Sequence, residues 1–112
     1  MTPARTTPGP EDSASIFAAL GDSTRLRLVE RLRRGGPQSI ARLTHGSDLS
    51  RQAITKHLQV LAGAGLVRGT RLGRESRWTL QPKRLDVAHR YLDLMSGRWD
   101  SALERLREFV EE

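Results

Sequence analysis

Between Ser50 and Leu80 one amphipathic helical pattern runs directly into two short β-like runs, and this succession constrains the fold most. In SRQAITKHLQVLAGAG, Ser50 has N-cap chemistry, and Gly63 or Gly65 supplies the stop. At about 100° per residue, Leu58 and Leu61 fall within about 40° of Ile54 and form a core-facing stripe. Gln52, Thr55, Lys56 and Gln59 fall on the opposite side, between about 100° and 200°. That side is neutral or positive and holds no carboxylate. An exposed helix ordinarily mixes both signs for local pairing, so this face suits an anion-rich surface carrying hydrogen-bond donors and acceptors. His57 flanks the apolar stripe and reads as a packing residue. The following LVRGTRLGRESRWTL predicts a hairpin turning at Gly73-Arg74-Glu75, with Trp78 and Leu80 inward and Arg77 outward.

The rest of the chain supplies helices around this unit. Residues 1–12, MTPARTTPGPED, are expected to form a disordered tail, leaving residues 13–112 as one domain. Ile16, Phe17 and Leu20 stand at helical spacing and are closed by Gly21. Asp22, Ser23 and Thr24 offer capping groups for a second helix. There Leu28, Val29 and Leu32 alternate with Arg25, Arg27, Arg31 and Arg33, up to Gly35-Gly36. Pro37 is expected to open a short third helix with Ile40 and Leu43, stopping near Gly46. After Pro82 a fifth helix carries Leu85, Ala88, Leu92 and Met95, and Gly97 is expected to interrupt it. A last helix then carries Trp99, Ala102, Leu103, Leu106, Phe109 and Val110 in a clean apolar stripe. The expected fold is mainly α with a small β-hairpin wing, the winged form of helix-turn-helix.

Charge selects the partner. The net charge is +6, yet residues 21–81 alone carry twelve basic and four acidic groups, and the flanks are slightly negative. A localised basic field attracts polyanions, nucleic acid above all. Phe17, Tyr91, Trp99 and Phe109 lie in the terminal helices and Trp78 faces inward, which leaves no stacking platform for single strands. Duplex DNA is the expected partner. Arg51 and Lys56 suit guanine, Gln52 and Gln59 suit adenine, and Thr55 suits a thymine methyl. Ser50 and the free N–H groups beside it suit a phosphate. Around the hairpin turn, Arg71, Arg74 and Arg77 are placed for phosphates or the minor groove.

The apolar stripe of the last helix exceeds what a chain this size hides at its end. Phe17, Leu20, Leu92, Trp99, Leu103, Leu106 and Phe109 are therefore expected to meet a second copy across a two-fold axis. Such an axis would set two reading helices about 34 Å apart, one turn of DNA. With zero cysteines, a disulfide framework, a thiolate metal site and a cysteine nucleophile are excluded. No apolar run is long enough to span a membrane and no signal-peptide pattern is present, so a cytoplasmic protein is expected.

Three other readings compete with this one. Gly21-Asp22-Ser23 with Asp86 and His89 resembles the nucleophile block and terminal Asp-x-x-His of GDSL-type hydrolases. However, Ser23 follows a helical pattern, the chain is short for a layered hydrolase, and it contains no asparagine for an oxyanion hole. No enzyme is expected. A winged helix that binds only protein would carry apolar anchors on the face of residues 52–59, where none occur. A gel shift on random duplex separates that reading from DNA binding. The third is a metal-responsive regulator using Asp86, His89 and Asp93, which share one face of the fifth helix.

On ALGDSTRLRLVERL, SRQAITKHLQVLAGAGLV, GRESRWTL and WDSALERL, residues 15–111 resemble the ArsR/SmtB family of winged-helix repressors. The resemblance implies a homodimer that pairs its terminal helices and represses from a palindromic operator. It also implies Gln52, Thr55 and Lys56 as groove-facing residues. Two departures stand out. Ser47 and Asp48 occupy positions where the family commonly reads Leu-Gly, so the third helix is expected to end a turn early. Ser39 and Ala41 align with the thiolate pair of the family's metal sensors and cannot replace it. Neither a metal nor a cofactor is expected. A small-molecule inducer is compatible with the family, but no residue names one.

Overall fold

The structure, a computed structural model, describes residues 10–111. Five helices and three short strands follow one another in it. Helix α1 (Pro10–Leu20) has Glu11 and Asp12 in its first turn, where the helix dipole favours negative charge. This extends the helix backwards into the expected tail, whose last three residues belong to α1. The remainder of that expectation, residues 1–9, lies outside the described residues. Helix α2 (Ser23–Gly35) starts at Asp22, whose carboxylate accepts the Arg25 N–H at 3.0 Å. That backbone hydrogen bond, more than the nearby charges of Arg25 and His57, holds the Asp22 carboxyl below its usual range. Gly36 ends the helix at φ 71°, which a side chain would resist.

Pro37 does not open a helix. Gln38–Ser39 form strand β1, and α3 (Ile40–Thr44) begins only after them, capped by Ser39 Oγ accepting the Arg42 N–H at 3.2 Å. The Gln38 side chain turns inward, 5% exposed, and donates from Nε2 to the Arg31 carbonyl at 2.7 Å. Its backbone pairs with β3 (Glu75–Leu80), so the expected hairpin is one part of a three-stranded antiparallel sheet, in which β3 lies between β1 and β2 (Val67–Leu72). Helix α4 (Arg51–Gly63) starts at Ser50, whose Oγ accepts the Ala53 N–H at 3.1 Å. Strands β2 (Val67–Leu72) and β3 (Glu75–Leu80) pair from Val67↔Leu80 out to Leu72↔Glu75, with Gly73 at positive φ in the turn.

Helix α5 (Pro82–Glu111) is continuous over 30 residues, so the expected break at Gly97 is absent. A glycine inside a helix costs about 1 kcal/mol against alanine, without breaking the hydrogen-bond ladder as proline does. Leu92, Met95, Trp99 and Ala102 keep one apolar stripe in phase across it. The fifth and sixth expected helices are therefore one. None of the described helices is long and apolar enough to cross a membrane.

The core joins α1, α2, α3, α4 and the start of β2 through Ile16, Leu28, Leu32, Leu43, Ile54, Leu58, Leu61 and Val67, with Leu66 just before β2, all nearly inaccessible. Each large side chain removed from water in this way contributes about 1.5–3 kcal/mol. Arg84, at the start of α5, donates to the Ala64 carbonyl at 2.9 Å and lies 3.7 Å from Asp12, tying α5 to the end of α4 and to α1. Phe17 and Leu20, placed by the sequence at the contact with a second copy, are already half-buried against this core within the protomer, and the Phe17 ring lies 6.2 Å from that of Tyr91. Ala88 is the one buried residue that α5 contributes, and Leu92, Trp99, Leu103, Leu106, Phe109 and Val110 stand in solvent. The far half of α5 thus projects, giving a radius of gyration of 18.4 Å and a longest dimension of 68 Å. A compact chain of about a hundred residues has a radius near 13 Å.

Candidate nucleic-acid interface

On α4 the two predicted faces separate as the wheel requires. Ile54, Leu58 and Leu61 are buried, while Arg51, Gln52, Lys56 and Gln59 are exposed. Among the described residues, none of these four exposed side chains has a partner within the protein. Thr55 is half-buried and its hydroxyl donates to the Arg51 carbonyl at 2.7 Å, which fixes its rotamer. Ser50 spends an oxygen lone pair on its cap and keeps its O–H free to donate. Beside this face, His57 packs as expected, with Nδ1 3.3 Å from the Arg25 guanidinium and 3.8 Å from the Asp22 carboxylate. The Arg25 Nε also donates to the Ala19 carbonyl at 2.6 Å. One guanidinium therefore joins the end of α1, the start of α2 and the middle of α4.

The wing arginines divide. In an antiparallel pair, residues directly opposite share a face and successive residues alternate. Arg71↔Ser76 continues the face of Gly69↔Trp78 and Val67↔Leu80, whereas Thr70↔Arg77 continues the face of Arg68↔Thr79. Arg71 and Arg77 consequently lie on opposite faces, and the three expected arginines do not form one cluster. Arg74 sits at the exposed turn, Arg77 lies 3.6 Å from Glu75, and Arg68 joins the face of Arg77. The sequence reading missed Arg68, although the alternation of VRGTRL contains the signal. A Cβ at Gly69 would lie 3.2 Å from the Trp78 ring and crowd it.

Not all of the basic block is left unpartnered. Arg25 and Arg31 donate to backbone carbonyls, and Arg33 and Arg34 hold Glu30 at 2.5 and 2.9 Å. Arg33 first, with Arg34, lowers the Glu30 carboxyl to about 2. The charge count alone could not separate these four from the cations left free. Between α3 and α4, Gly46 adopts φ 78° and Ser47 Oγ accepts the Leu49 N–H at 3.1 Å, so α3 ends at Thr44, early as expected.

This geometry has known counterparts. Residues 20–70 match the family described as a helix-turn-helix domain. The HTH-type transcriptional regulator Rv2034 of Mycobacterium tuberculosis is 33% identical over 95 residues, 85% of each chain. A solved ArsR-like transcriptional regulator from Rhodococcus sp. RHA1 is 36% identical, with a TM-score of 0.78 over 88% of this chain and 92% of that one. The chain belongs to the ArsR family of winged helix-turn-helix transcriptional regulators. A more distant structure, the homodimeric winged helix-turn-helix DNA-binding domain Mb0332 from Mycobacterium bovis, shares the fold at 17% identity. Its TM-score is 0.63 over 78% of this chain and 80% of that one.

Within this ArsR-family chain, the two positions aligned with the thiolate pair have other work or none. Ser39 caps α3, and Ala41 has no donor atom. On α5, His89 lies 3.6 Å from Asp93, while Asp86 pairs with Arg90 at 4.0 Å. Among the described residues, no three His, Asp or Glu side chains come together as a metal site. Ser23 opens α2 after a helix, not a strand, and the relatives are transcriptional regulators, not enzymes.

Proposed function

We propose that the protein is a homodimeric, sequence-specific DNA-binding repressor of a palindromic operator, working in the cytoplasm. The observation that carries this reading is the exposed face of α4: Arg51, Gln52, Lys56 and Gln59 side by side, unpartnered among the described residues, on a helix without a carboxylate. These residue types bond base edges in a major groove, and an α-helix fits that groove. Ser50 and the N-terminal amides of α4 meet a phosphate, and Arg68, Arg74 and Arg77 on the wing add backbone contacts. The dimer forms through Trp99, Leu103, Leu106 and Phe109 of α5, with Leu92 and the exposed edges of Phe17 and Leu20 beside them. The homodimeric form of the Mycobacterium bovis domain is in keeping with a dimer.

Selection of duplexes from a random pool tests the reading. Gln52→Ala and Lys56→Ala each relax base preference at particular positions, at about 1–3 kcal/mol apiece. Arg74→Ala weakens all sequences alike, because a phosphate contact carries no sequence information. An unchanged sequence logo for Gln52→Ala would show that α4 does not read the groove through this face.

The signal is not a thiophilic metal. Without cysteine, and with Ser39 and Ala41 on α3, the chain lacks the soft ligands that such a site needs. Zinc, cadmium or arsenite at micromolar concentration leaves a preformed DNA complex intact in a gel shift. Zinc retained in stoichiometric amount after dialysis, and lost in His89→Ala, would overturn this.

A further inference from the structure

Helix α3 is five residues long, and the last four carbonyls of any helix lack partners within it. The His45 N–H closes the Ala41 and Arg42 carbonyls and the Ser47 N–H closes that of Thr44, which leaves Leu43 without a backbone donor. Arg31, reaching across from α2, supplies it and reaches two neighbouring carbonyls as well. Its Nη1 donates to the Leu43 carbonyl at 2.6 Å, its Nη2 to the Arg42 carbonyl at 2.7 Å, and Nη1 also reaches the His45 carbonyl at 3.4 Å. The planar fork matches diverging acceptors in a way an ammonium does not, and its charge faces the negative end of the α3 dipole. Arg31 is half-buried and pairs with no carboxylate among the described residues.

A half-open cleft of about 480 Å³ separates α2 from the α3–α4 connection, and Arg27, Arg31, Gly46, Ser47, Asp48 and Leu49 are among its lining residues. Residues 46–49 are exposed along it, and hydrogen bonds hold them, through Arg31 at the end of α3 and through Ser47 within the turn.

We infer that Arg31 is a positioning residue for DNA reading, holding the α3–α4 turn and hence the entry of Ser50, Arg51 and Gln52 into the groove, without touching DNA itself. This rests on the DNA-reading role proposed above. The experiment compares full-length wild type, Arg31→Met and Arg31→Lys. It measures binding to a selected duplex and to random duplex across a salt series, together with amide hydrogen exchange.

Arg31→Met binds the selected duplex about tenfold or more weakly, since several charge-assisted bonds are lost. Its affinity for random duplex and its salt slope stay at the wild-type values. Exchange quickens at residues 43–50 and is unchanged at the buried core of α2 and α4. Arg31→Lys recovers part of the loss, because one ammonium can bond some of these carbonyls but not span them all. Should Arg31→Met fail to fold, the lysine variant alone carries the comparison.

Unchanged affinity for the selected duplex would overturn the inference. So would a loss of affinity accompanied by a shallower salt slope, which marks a phosphate contact instead. A wild type that binds no duplex would remove the DNA-reading role itself. In that case quickened exchange at residues 43–50 would still support Arg31 as the clamp on the turn, and unaltered exchange would discard it.

Discussion

Leu106→Glu dissociates the dimer and weakens binding to a palindromic duplex by about 10²–10⁴, the range by which linked sites exceed single ones. The size of the effect follows from what α5 exposes. Leu106 is 58% exposed, with Trp99 at 63% and Phe109 at 75% on the same stripe. At about 25 cal/mol per Å², covering such a stripe on two protomers is a strong driving force for association. A carboxylate in the middle of that surface loses its water without gaining a partner, at a cost of several kcal/mol. Because Leu106 is far from the buried core, the winged domain itself stays folded. Sedimentation velocity at micromolar concentration, run for wild type and variant, reads the outcome directly. A wild-type monomer that binds a palindrome tightly would refute the interface, as would a Leu106→Glu dimer with unaltered affinity.

Raising salt from about 50 to 200 mM lowers operator affinity by about 10⁴ if the dimer engages about eight phosphates, a slope near −7 of log affinity against log salt. Counterion release is expected from the cations that the fold leaves unpartnered. Arg25, Arg31, Arg33 and Arg34 are occupied by carbonyls or by Glu30, and Arg77 by Glu75, which leaves Arg51, Lys56, Arg68 and Arg74 among the exposed cations of each protomer. Four contacts from each protomer give the expected slope. Alanine at Arg33 or Arg34 therefore leaves the slope unaltered, whereas alanine at Arg68 makes it shallower by about one for each contact removed. Fluorescence anisotropy across a salt series measures both, and a slope near zero would sink the electrostatic account.

The parts of this protein legible in its sequence are those decided within one or two helical turns. Ser50 caps α4 and Asp22 caps α2 because a short side chain bonds an amide two or three residues on. The buried and exposed faces of α4 follow from the 3.6-residue period, and the hairpin turns at Gly73-Arg74 as the flanking runs indicate. Of the four residues placed opposite the core stripe, Gln52, Lys56 and Gln59 are exposed, and Thr55 is half-buried with its hydroxyl tied to Arg51. Gly97 misled because glycine carries only a statistical preference against helix, and the stripe on either side of it was already in phase.

Other features arose only from tertiary structure. Strand β1 exists because Gln38 and Ser39 pair with Trp78 and Arg77 some forty residues later, and two residues leave no periodic trace of that. Likewise, Arg71 and Arg77 look like neighbours along the turn until the register places them on opposite faces. Arg25 and Arg31 look like further cations for a polyanion until α1 and α3 bring carbonyls within reach of their guanidinium groups. An arginine satisfied by a carbonyl and one left for a phosphate are the same residue type. Sequence by itself determined that this chain carries a capped, carboxylate-free helix beside a wing. Which of its cations remain free was decided by the fold, because hydrogen bonds between distant segments depend on distances that no local pattern encodes.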